Sequence, residues 1–529
     1  MDEAMLAINI PQRSFGELLQ PLDYNTSAPF PFLWLERAAV TLWGADELAL
    51  RAAPTLAGLA LLPLIGLAGR RLFGPAGQLA AILLAALSPT LIRFSNEVKP
   101  YGTDALLTAL LLALGSSVNG APQARRPWVA LCAIAPLAVL CSYPGLFVAC
   151  AVLAAALLVP EIRRPRARSL LLCALLCGLA FALPYFAIYR TAAGGSALQG
   201  AWEAAFLEPG PDLERRMRLA LPGLLLPTFL GNGASIPAHT VAIFPVIAAI
   251  LALGLVEAAR RHGAWAPVLL AGPIAVAAFA SSLRRYPFGV PRLMAFAAPA
   301  LILMAAGAVA WAYARLRQRA RPWFAAPLLL IAVLPTLRDD LAGVRSPFAG
   351  EDSRSLVAVY KRQRRGEMEP VYVSAKAIPA WIFYTTNWKK PKLDRLAFYA
   401  AAATRGLAFE NRPSREQAVK EEGLDLVFEW RGRRELLGIG TGREWRWPNY
   451  TRPVPDEGWA ANEARRIYVE AVKNPDNPCA WLFFTRLSER SNKPVGWILR
   501  DEYGGKLDFL ETGPGAWLAR YCFTSNPAT

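Results

Sequence analysis

The feature that most constrains this chain is a series of long apolar runs separated by short polar gaps. The runs occupy most of residues 52–337. A helix needs about 20 apolar residues to cross the hydrocarbon core of a bilayer. The runs that approach this length predict about ten membrane-spanning helices, at residues 52–68, 78–94, 105–118, 128–141, 146–159, 170–189, 240–256, 265–282, 293–313 and 324–337. The two runs within 128–159 could instead form a re-entrant hairpin, because only a short turn separates them.

The distribution of arginine predicts how these helices are oriented. Charged residues make up 18% of the 529 residues, and the formal net charge is +17. Arginine pairs recur in alternate gaps, as at Arg70–Arg71, Arg125–Arg126 and Arg260–Arg261. Short loops rich in arginine normally face the cytoplasm, so the other gaps, the N-terminal segment and everything after Arg338 are predicted to face outward. Topology therefore explains much of the basic charge, and no basic stripe indicates nucleic-acid binding.

The chain divides into three predicted parts. Residues 1–51 form an outer segment with helices in the membrane interface, residues 52–337 form the membrane domain, and residues 338–529 form a soluble domain outside the cytoplasm. The outer segment contains no apolar signal-peptide core that would carry it across the membrane. The favoured expectation is therefore that a first helix is missing before Met1.

The soluble part is predicted to be a small α/β domain. Its strands and helices alternate, with strands at 370–374, 424–430 and 479–486, helices at 378–386 and 457–472, and a closing hairpin at 506–510 and 516–523. Cys479 and Cys522 fit either a disulfide outside the cytoplasm or two free thiols. This domain is expected to cover the outer mouth of the membrane domain and to contribute to acceptor choice.

Several short motifs occur in a particular order along residues 1–315. They are Asp2-Glu3 before a long loop, Gly44 to Pro54, Gly69 to Gly74, Glu97-Val98-Lys99-Pro100-Tyr101 with Asp104, and Tyr286-Pro287-Phe288-Gly289 with Arg292. In this order and on these sides of the membrane, they resemble the GT-C superfamily of membrane glycosyltransferases. The resemblance is to glycosyltransferase family 39, the protein mannosyltransferase and aminoarabinose transferase group with its bacterial members. Where the first loop of that family often has His-Pro-Pro, this chain has Ser27-Ala28-Pro29.

The resemblance implies a multi-pass inner-membrane enzyme with its active site on the periplasmic side. It would transfer a hexosyl or pentosyl group from a polyprenyl-phosphate donor to a hydroxyl of a glycan, lipid or protein acceptor. A carboxylate near the acceptor serves as general base in such chemistry. The resemblance assigns that role to Asp2, with Glu3 beside it and Glu97 as a further catalytic carboxylate. Tyr101, Asp104 and Tyr286 are the candidates for contact with the acceptor or the sugar.

Cations predicted on the outer side are candidates for binding the departing lipid phosphate. Arginine and lysine stabilise the charge that develops on phosphate as its bond breaks. The candidates are Lys99, Arg284, Arg285 and Arg292. Contact with anionic lipid headgroups is the alternative use of these cations. Because cations alone can serve a monophosphate carrier, no metal or other cofactor is required, although the sequence leaves a divalent metal open.

Other interpretations of the same residues remain open. Asp2 and Glu3 could be an ordinary polar terminus, and Glu97 with Lys99 could be a surface ion pair. A transporter or lipid-carrier flippase would be expected to place polar residues deep in its helices, whereas the ionisable residues here cluster at outer helix ends. A non-catalytic assembly or receptor protein, in which the soluble domain does the binding, is the third possibility.

Overall fold

The computed structural model has an array of membrane helices followed by a sheet. It describes residues 2–20, 22, 26–189, 202–230, 238–319, 352–364, 369, 371–373, 377–385, 427–430, 433–437, 457–472, 476–485, 489–513 and 515–524. Each predicted apolar run contains helix except 324–337, which lies outside the described residues. The prediction of a polytopic helical membrane protein with a C-terminal α/β domain is confirmed.

The helices of the outer segment and membrane domain follow in chain order. They are α1 (Asp2–Ala7), α2 (Asn9–Gln12), α3 (Phe30–Trp43), α4 (Glu47–Ala86), α5 (Pro89–Phe94), α6 (Tyr101–Gly120), α7 (Arg125–Cys141), α8 (Gly145–Leu157), α9 (Pro160–Arg163), α10 (Ala167–Pro184), α11 (Leu213–Leu230), α12 (Ala238–His262), α13 (Trp265–Ser282) and α14 (Ala298–Arg319). Within the described residues, 6 helical segments are long and apolar enough to cross a membrane: Glu47–Ala86, Tyr101–Gly120, Ala167–Ile188, Ile243–His262, Trp265–Ser282 and Ala295–Arg315. Gly145–Leu157 is a shorter apolar helix.

The longest helical segment, α4, is two helices joined by a sharp turn. The turn lies at Gly74, whose φ of 78° favours glycine because a side chain would be strained there. A Cβ atom on Gly69 would lie 2.7 Å from the carbonyl oxygen of Gly77, so the two halves approach each other closely beside the turn. Arg261 donates to the carbonyl oxygen of Phe73 at 3.1 Å. This contact satisfies a carbonyl at the end of the first half, where the helix supplies no partner.

The soluble domain is built on a six-stranded mixed sheet. Its strands are β1 (Val371–Val373), β2 (Val427–Trp430), β3 (Arg433–Leu437), β4 (Cys479–Thr485), β5 (Lys506–Gly513) and β6 (Ala516–Cys522), in the order β2-β3-β1-β4-β6-β5. β1 is parallel to β3 and β4, and the other pairs are antiparallel. Its helices are α15 (Ser353–Gln363), α16 (Ile378–Thr385), α17 (Glu457–Val472) and α18 (Glu489–Asp501).

Alternation along β4 divides the apolar core of this domain into two layers. Successive strand residues point to opposite faces. Leu482 packs in one cluster with residues of α17 and α18, whereas Trp481 and Phe483 pack in another with residues of α15 and α16. Helices therefore cover both faces of the sheet. Cys479 lies opposite Cys522 in the β4–β6 register and the two form a disulfide, which decides between the two alternatives for these cysteines.

A buried ion pair lies under the β4–β6 pair. The side chains of Arg520 and Glu369 are 2% and 1% exposed, and they form a direct hydrogen bond. Trp481 donates to the other oxygen of Glu369 at 2.5 Å, and Arg520 also donates to Asp508 at 2.5 Å. The two charges therefore compensate each other in an environment where either one alone would be costly.

Candidate functional site

The site is built around α1, whose apolar side is buried. Met5 on α1 is 7% exposed and Ile8, directly after α1, is 0% exposed, and both belong to a buried cluster that includes Trp381 of α16. This packing places the start of α1 beside the soluble domain. Acidic residues suit the beginning of a helix, since its free N–H groups carry partial positive charge. The backbone of Asp2 opens α1, but its side chain lies outside the described residues.

Glu3 connects α1 to the loop after α5. Its Oε1 atom accepts a hydrogen bond from the backbone N–H of Val98 at 3.0 Å and another from Arg51 Nε at 3.3 Å. Val98 stands between Glu97 and Lys99, so two of the predicted segments meet across 95 residues of sequence. Glu3 is therefore not part of an isolated polar terminus.

The loop before α6 holds Glu97 by a local ion pair. Arg93 Nε donates to Glu97 Oε1 at 2.7 Å. The backbone N–H of Lys99 donates to the carbonyl oxygen of Glu97 at 2.7 Å, which makes a tight turn. Arg93 was not among the predicted site residues. It lies four residues before Glu97, a spacing at which opposite charges attract on a helix.

The predicted acceptor residues form one cluster. Asp104 is 7% exposed, one turn into α6, and hydrogen-bonds to Ser142. Burial raises the pKa of the Tyr286 hydroxyl well above its usual value, and the nearby Asp104 and Tyr101 add to this shift. Tyr286 donates to the carbonyl oxygen of Leu293 at 2.6 Å. The structure thus brings together residues from α6, the α7–α8 turn and the loop after α13.

The predicted phosphate-binding cations have different surroundings. Arg284 Nη1 lies 2.7 Å from Glu208 Oε1, so a carboxylate offsets its charge. The guanidinium of Arg292 lies 5.0 Å from the centre of the Trp202 ring. Arg285 is exposed, and Lys99 is half-buried. The segment that contains Trp202 and Glu208 therefore lies against the loop after α13.

Three further residues near α1 were not predicted. Glu47 and Arg51 occupy the first turns of α4, and Tyr384 lies at the end of α16. Tyr384 donates to Glu47 Oε1, and Arg51 pairs with Glu3. The spacing of Glu47 and Arg51 indicates that they lie on the same side of α4. Nothing in the sequence indicates that Tyr384 of the soluble domain contacts them. Among the described residues, no group of three or more histidine, cysteine or acidic side chains could hold a metal ion.

The helical arrangement is that of the GT-C fold, which the sequence predicted. The family model of the dolichyl-phosphate-mannose-protein mannosyltransferases matches residues 27–188, which confirms the resemblance to glycosyltransferase family 39. The protein is thus a multi-pass membrane protein with the GT-C fold.

The fold is similar to that of a solved structure. A crystal structure of ArnT from Cupriavidus metallidurans bound to undecaprenyl phosphate has 15% sequence identity and a TM-score of 0.52, covering 98% of this chain and 93% of that one. ArnT in the apo state has 16% identity, the same coverage and a TM-score of 0.48. The oligosaccharyltransferase of Archaeoglobus fulgidus has 14% identity and a TM-score of 0.45, covering 99% of this chain and 68% of that one. No curated protein sequence matches this chain.

Proposed function

We propose that this protein transfers a hexosyl or pentosyl group from a polyprenyl-phosphate donor to a hydroxyl of a glycan, lipid or protein outside the cytoplasm. The observation that carries the proposal is the hydrogen bond from the Val98 N–H to Glu3. It joins the Asp2-Glu3 helix to the loop that bears Glu97 and Lys99. The solved relative of the same fold binds undecaprenyl phosphate, which supports a polyprenyl carrier for the donor.

In this reaction the acceptor oxygen bonds to the anomeric carbon of the sugar while the bond from that carbon to the phosphate oxygen breaks. Asp2 takes the proton of the acceptor hydroxyl, and polyprenyl phosphate leaves. Glu3 anchors the helix that bears Asp2, and Glu97, held by Arg93, is a further carboxylate at the same loop. A positioned base of this kind contributes about 10²- to 10⁴-fold to a rate.

Charge on the departing phosphate is stabilised by Lys99, Arg285 and Arg292. Arg284 contributes less in this scheme, because Glu208 already offsets its charge. Fixed cations stabilise the charge that develops on a leaving phosphate. These side chains need no metal or other cofactor for that purpose.

The acceptor or sugar is proposed to lie against Tyr101, Asp104 and Tyr286. Because Tyr286 already donates its hydroxyl hydrogen to the carbonyl oxygen of Leu293, its oxygen can accept a hydrogen bond from a hydroxyl of the ligand. One carboxyl oxygen of Asp104, Oδ1, has no hydrogen-bond partner among the described residues. It is therefore suited to accept a hydrogen bond from a hydroxyl of the ligand.

We place this site and the soluble domain, residues 338–529, on the periplasmic side of an inner membrane. Two observations support that orientation. Arginine-rich gaps such as Arg70–Arg71 favour the cytoplasm on the opposite side. The disulfide between Cys479 and Cys522 suits an oxidising compartment.

The test is sugar transfer from a labelled polyprenyl-phosphate sugar in membrane vesicles, measured for Asp2→Asn. We expect the rate to fall by about 10²-fold or more, because the amide cannot take the proton. The matched control is Asp212→Asn, which removes an exposed carboxylate from another predicted outer segment. Expression of both variants is expected to equal that of the wild type.

Full activity of Asp2→Asn would remove the role given to Asp2. Movement of labelled carrier across the vesicle membrane, without any transfer to an acceptor, would instead favour a flippase.

A further inference from the structure

Four side chains connect the soluble domain to the helix that carries Asp2. They are Glu3 on α1, Glu47 and Arg51 on α4, and Tyr384 on α16, and we call them the positioning relay. The Tyr384 hydroxyl donates to Glu47 Oε1, and Arg51 Nε donates to Glu3 Oε1 at 3.3 Å. Glu47 and Arg51 are about one turn apart on α4, so they lie on the same side of that helix.

The contacts of the relay differ in strength. Arg354 also reaches Glu47, at 3.2 Å, but its side chain is 71% exposed, so water screens this pair and it contributes little. The hydrogen bond from Tyr384 is different, since its donor is half-buried and its acceptor is charged. Burial and the hydrogen bond to Glu47 raise the pKa of the Tyr384 hydroxyl, which keeps it a donor.

The apolar side of α1 depends on the same domain. Met5 and Ile8 lie in one buried cluster with Trp381 and Phe383 of α16. A helix as short as α1, with 6 residues, is not stable on its own in water. Its position is therefore set by the apolar cluster and by the contacts of Glu3 at its polar beginning, which are the relay and the Val98 N–H.

We propose that the soluble domain positions the catalytic helix through this relay, so that Tyr384, Glu47 and Arg51 are positioning residues for the transfer step. Asp2 directly precedes Glu3, and a shift of the Glu3 carboxylate moves the backbone of Asp2. Misplacement of a reacting group lowers the rate of the chemical step without weakening substrate binding. The inference rests on the proposed function, in which Asp2 is the base.

The test uses the full-length protein in membranes and two measurements on Tyr384→Phe, which removes only the hydroxyl. We expect kcat to fall about tenfold, which corresponds to about 1.4 kcal/mol, while KM for donor and acceptor is unchanged. We also expect faster hydrogen–deuterium exchange at the backbone amides of residues 5–10. The N–H of Ile8, which bonds to the carbonyl oxygen of Ala4 at 3.1 Å, is the most direct probe.

The matched control is Tyr521→Phe, which removes a hydroxyl from β6 of the same domain and is expected to change neither measurement. Glu47→Gln keeps an acceptor for Tyr384 but removes the charge that faces Arg51, and an intermediate loss in both measurements is expected. If Tyr384→Phe does not fold, Glu47→Gln decides the question by the same two measurements.

Unchanged kcat together with unchanged exchange in Tyr384→Phe would overturn the relay. A raised acceptor KM with unchanged kcat would also overturn it, because Tyr384 would then be an acceptor contact. If the wild-type protein transfers no sugar, the proposed function fails, and the exchange measurement alone then supports or overturns the relay.

Discussion

Replacing Glu36 by glutamine should stabilise this protein at neutral pH. Glu36 lies on α3, outside the membrane-spanning segments, and its side chain is 0% exposed. Neither carboxyl oxygen has a hydrogen-bond partner among the described residues. Burial raises the pKa of Glu36 from 4.5 to about 9, since a charged carboxylate loses its hydration there. The folded protein therefore holds a proton that the unfolded chain releases at neutral pH.

The size of the effect follows from the two pKa values. One pKa unit corresponds to about 1.4 kcal/mol, and about 2.5 units separate the unfolded pKa from pH 7. The wild type thus loses about 3 kcal/mol of unfolding free energy at pH 7 relative to Glu36→Gln. Because the pKa is raised on folding, the contribution of Glu36 is complete below about pH 4.5 and is lost progressively as pH rises to about 9.

The assay is unfolding in detergent micelles across pH 4 to 10, for the wild type and Glu36→Gln. We expect the curves to coincide at low pH and to diverge by about 1.4 kcal/mol per pH unit up to about pH 9. Glu214→Gln, which replaces a side chain that is 76% exposed, is the control and should stay within about 0.5 kcal/mol of the wild type. Parallel curves for the wild type and Glu36→Gln would refute the reasoning.

Three other changes have definite expected results. Arg292→Ala should raise the KM for the lipid donor, since a phosphate-binding cation is lost, and an unchanged donor KM and rate in the vesicle assay would remove that assignment. Replacing Cys479 and Cys522 by serine should lower the unfolding free energy by about 4 kcal/mol, because the disulfide closes a loop with a sequence separation of 43; an unshifted melting temperature would count against this. Glu369→Ala should lower the unfolding free energy by about 1–3 kcal/mol, since it leaves the buried Trp481 N–H without its acceptor while Asp508 still faces Arg520, and thermal unfolding measures the loss.

Much of the fold could be predicted because the signals are local. An apolar run long enough to cross a bilayer has few other stable conformations, since lipid offers no partner for a free backbone group. The predicted run 265–282 coincides with α13. The predicted strand 479–486 and helix 457–472 match β4 and α17 equally well. The turn at Gly74 also falls where the arginine-rich gap predicted a cytoplasmic connection.

The contacts of the candidate site could not be predicted from the sequence. The motifs indicated Glu3, Glu97 and Lys99 as neighbours in function. They did not indicate that the Val98 N–H would bond to Glu3, or that Glu208 would pair with Arg284. Such contacts join residues distant in sequence, and the pattern of either segment alone carries no information about its partner.

Glu36 illustrates the same limit within a single helix. It shares a helical face with buried Leu33 and Val40, a position that normally takes an apolar residue. The pattern would place that face inward, yet glutamate by itself is most often exposed. Only the packing of α3 against its neighbours determined that this carboxyl group is buried.

The sequence by itself determined the membrane helices and the α/β domain, because hydropathy and residue alternation act over neighbouring residues. The tertiary structure alone decided the disulfide, the contact of Glu3 with Val98 and the link from Tyr384 to α4. Those depend on how separate helices and the sheet pack together, which is set by the whole chain and by no single segment.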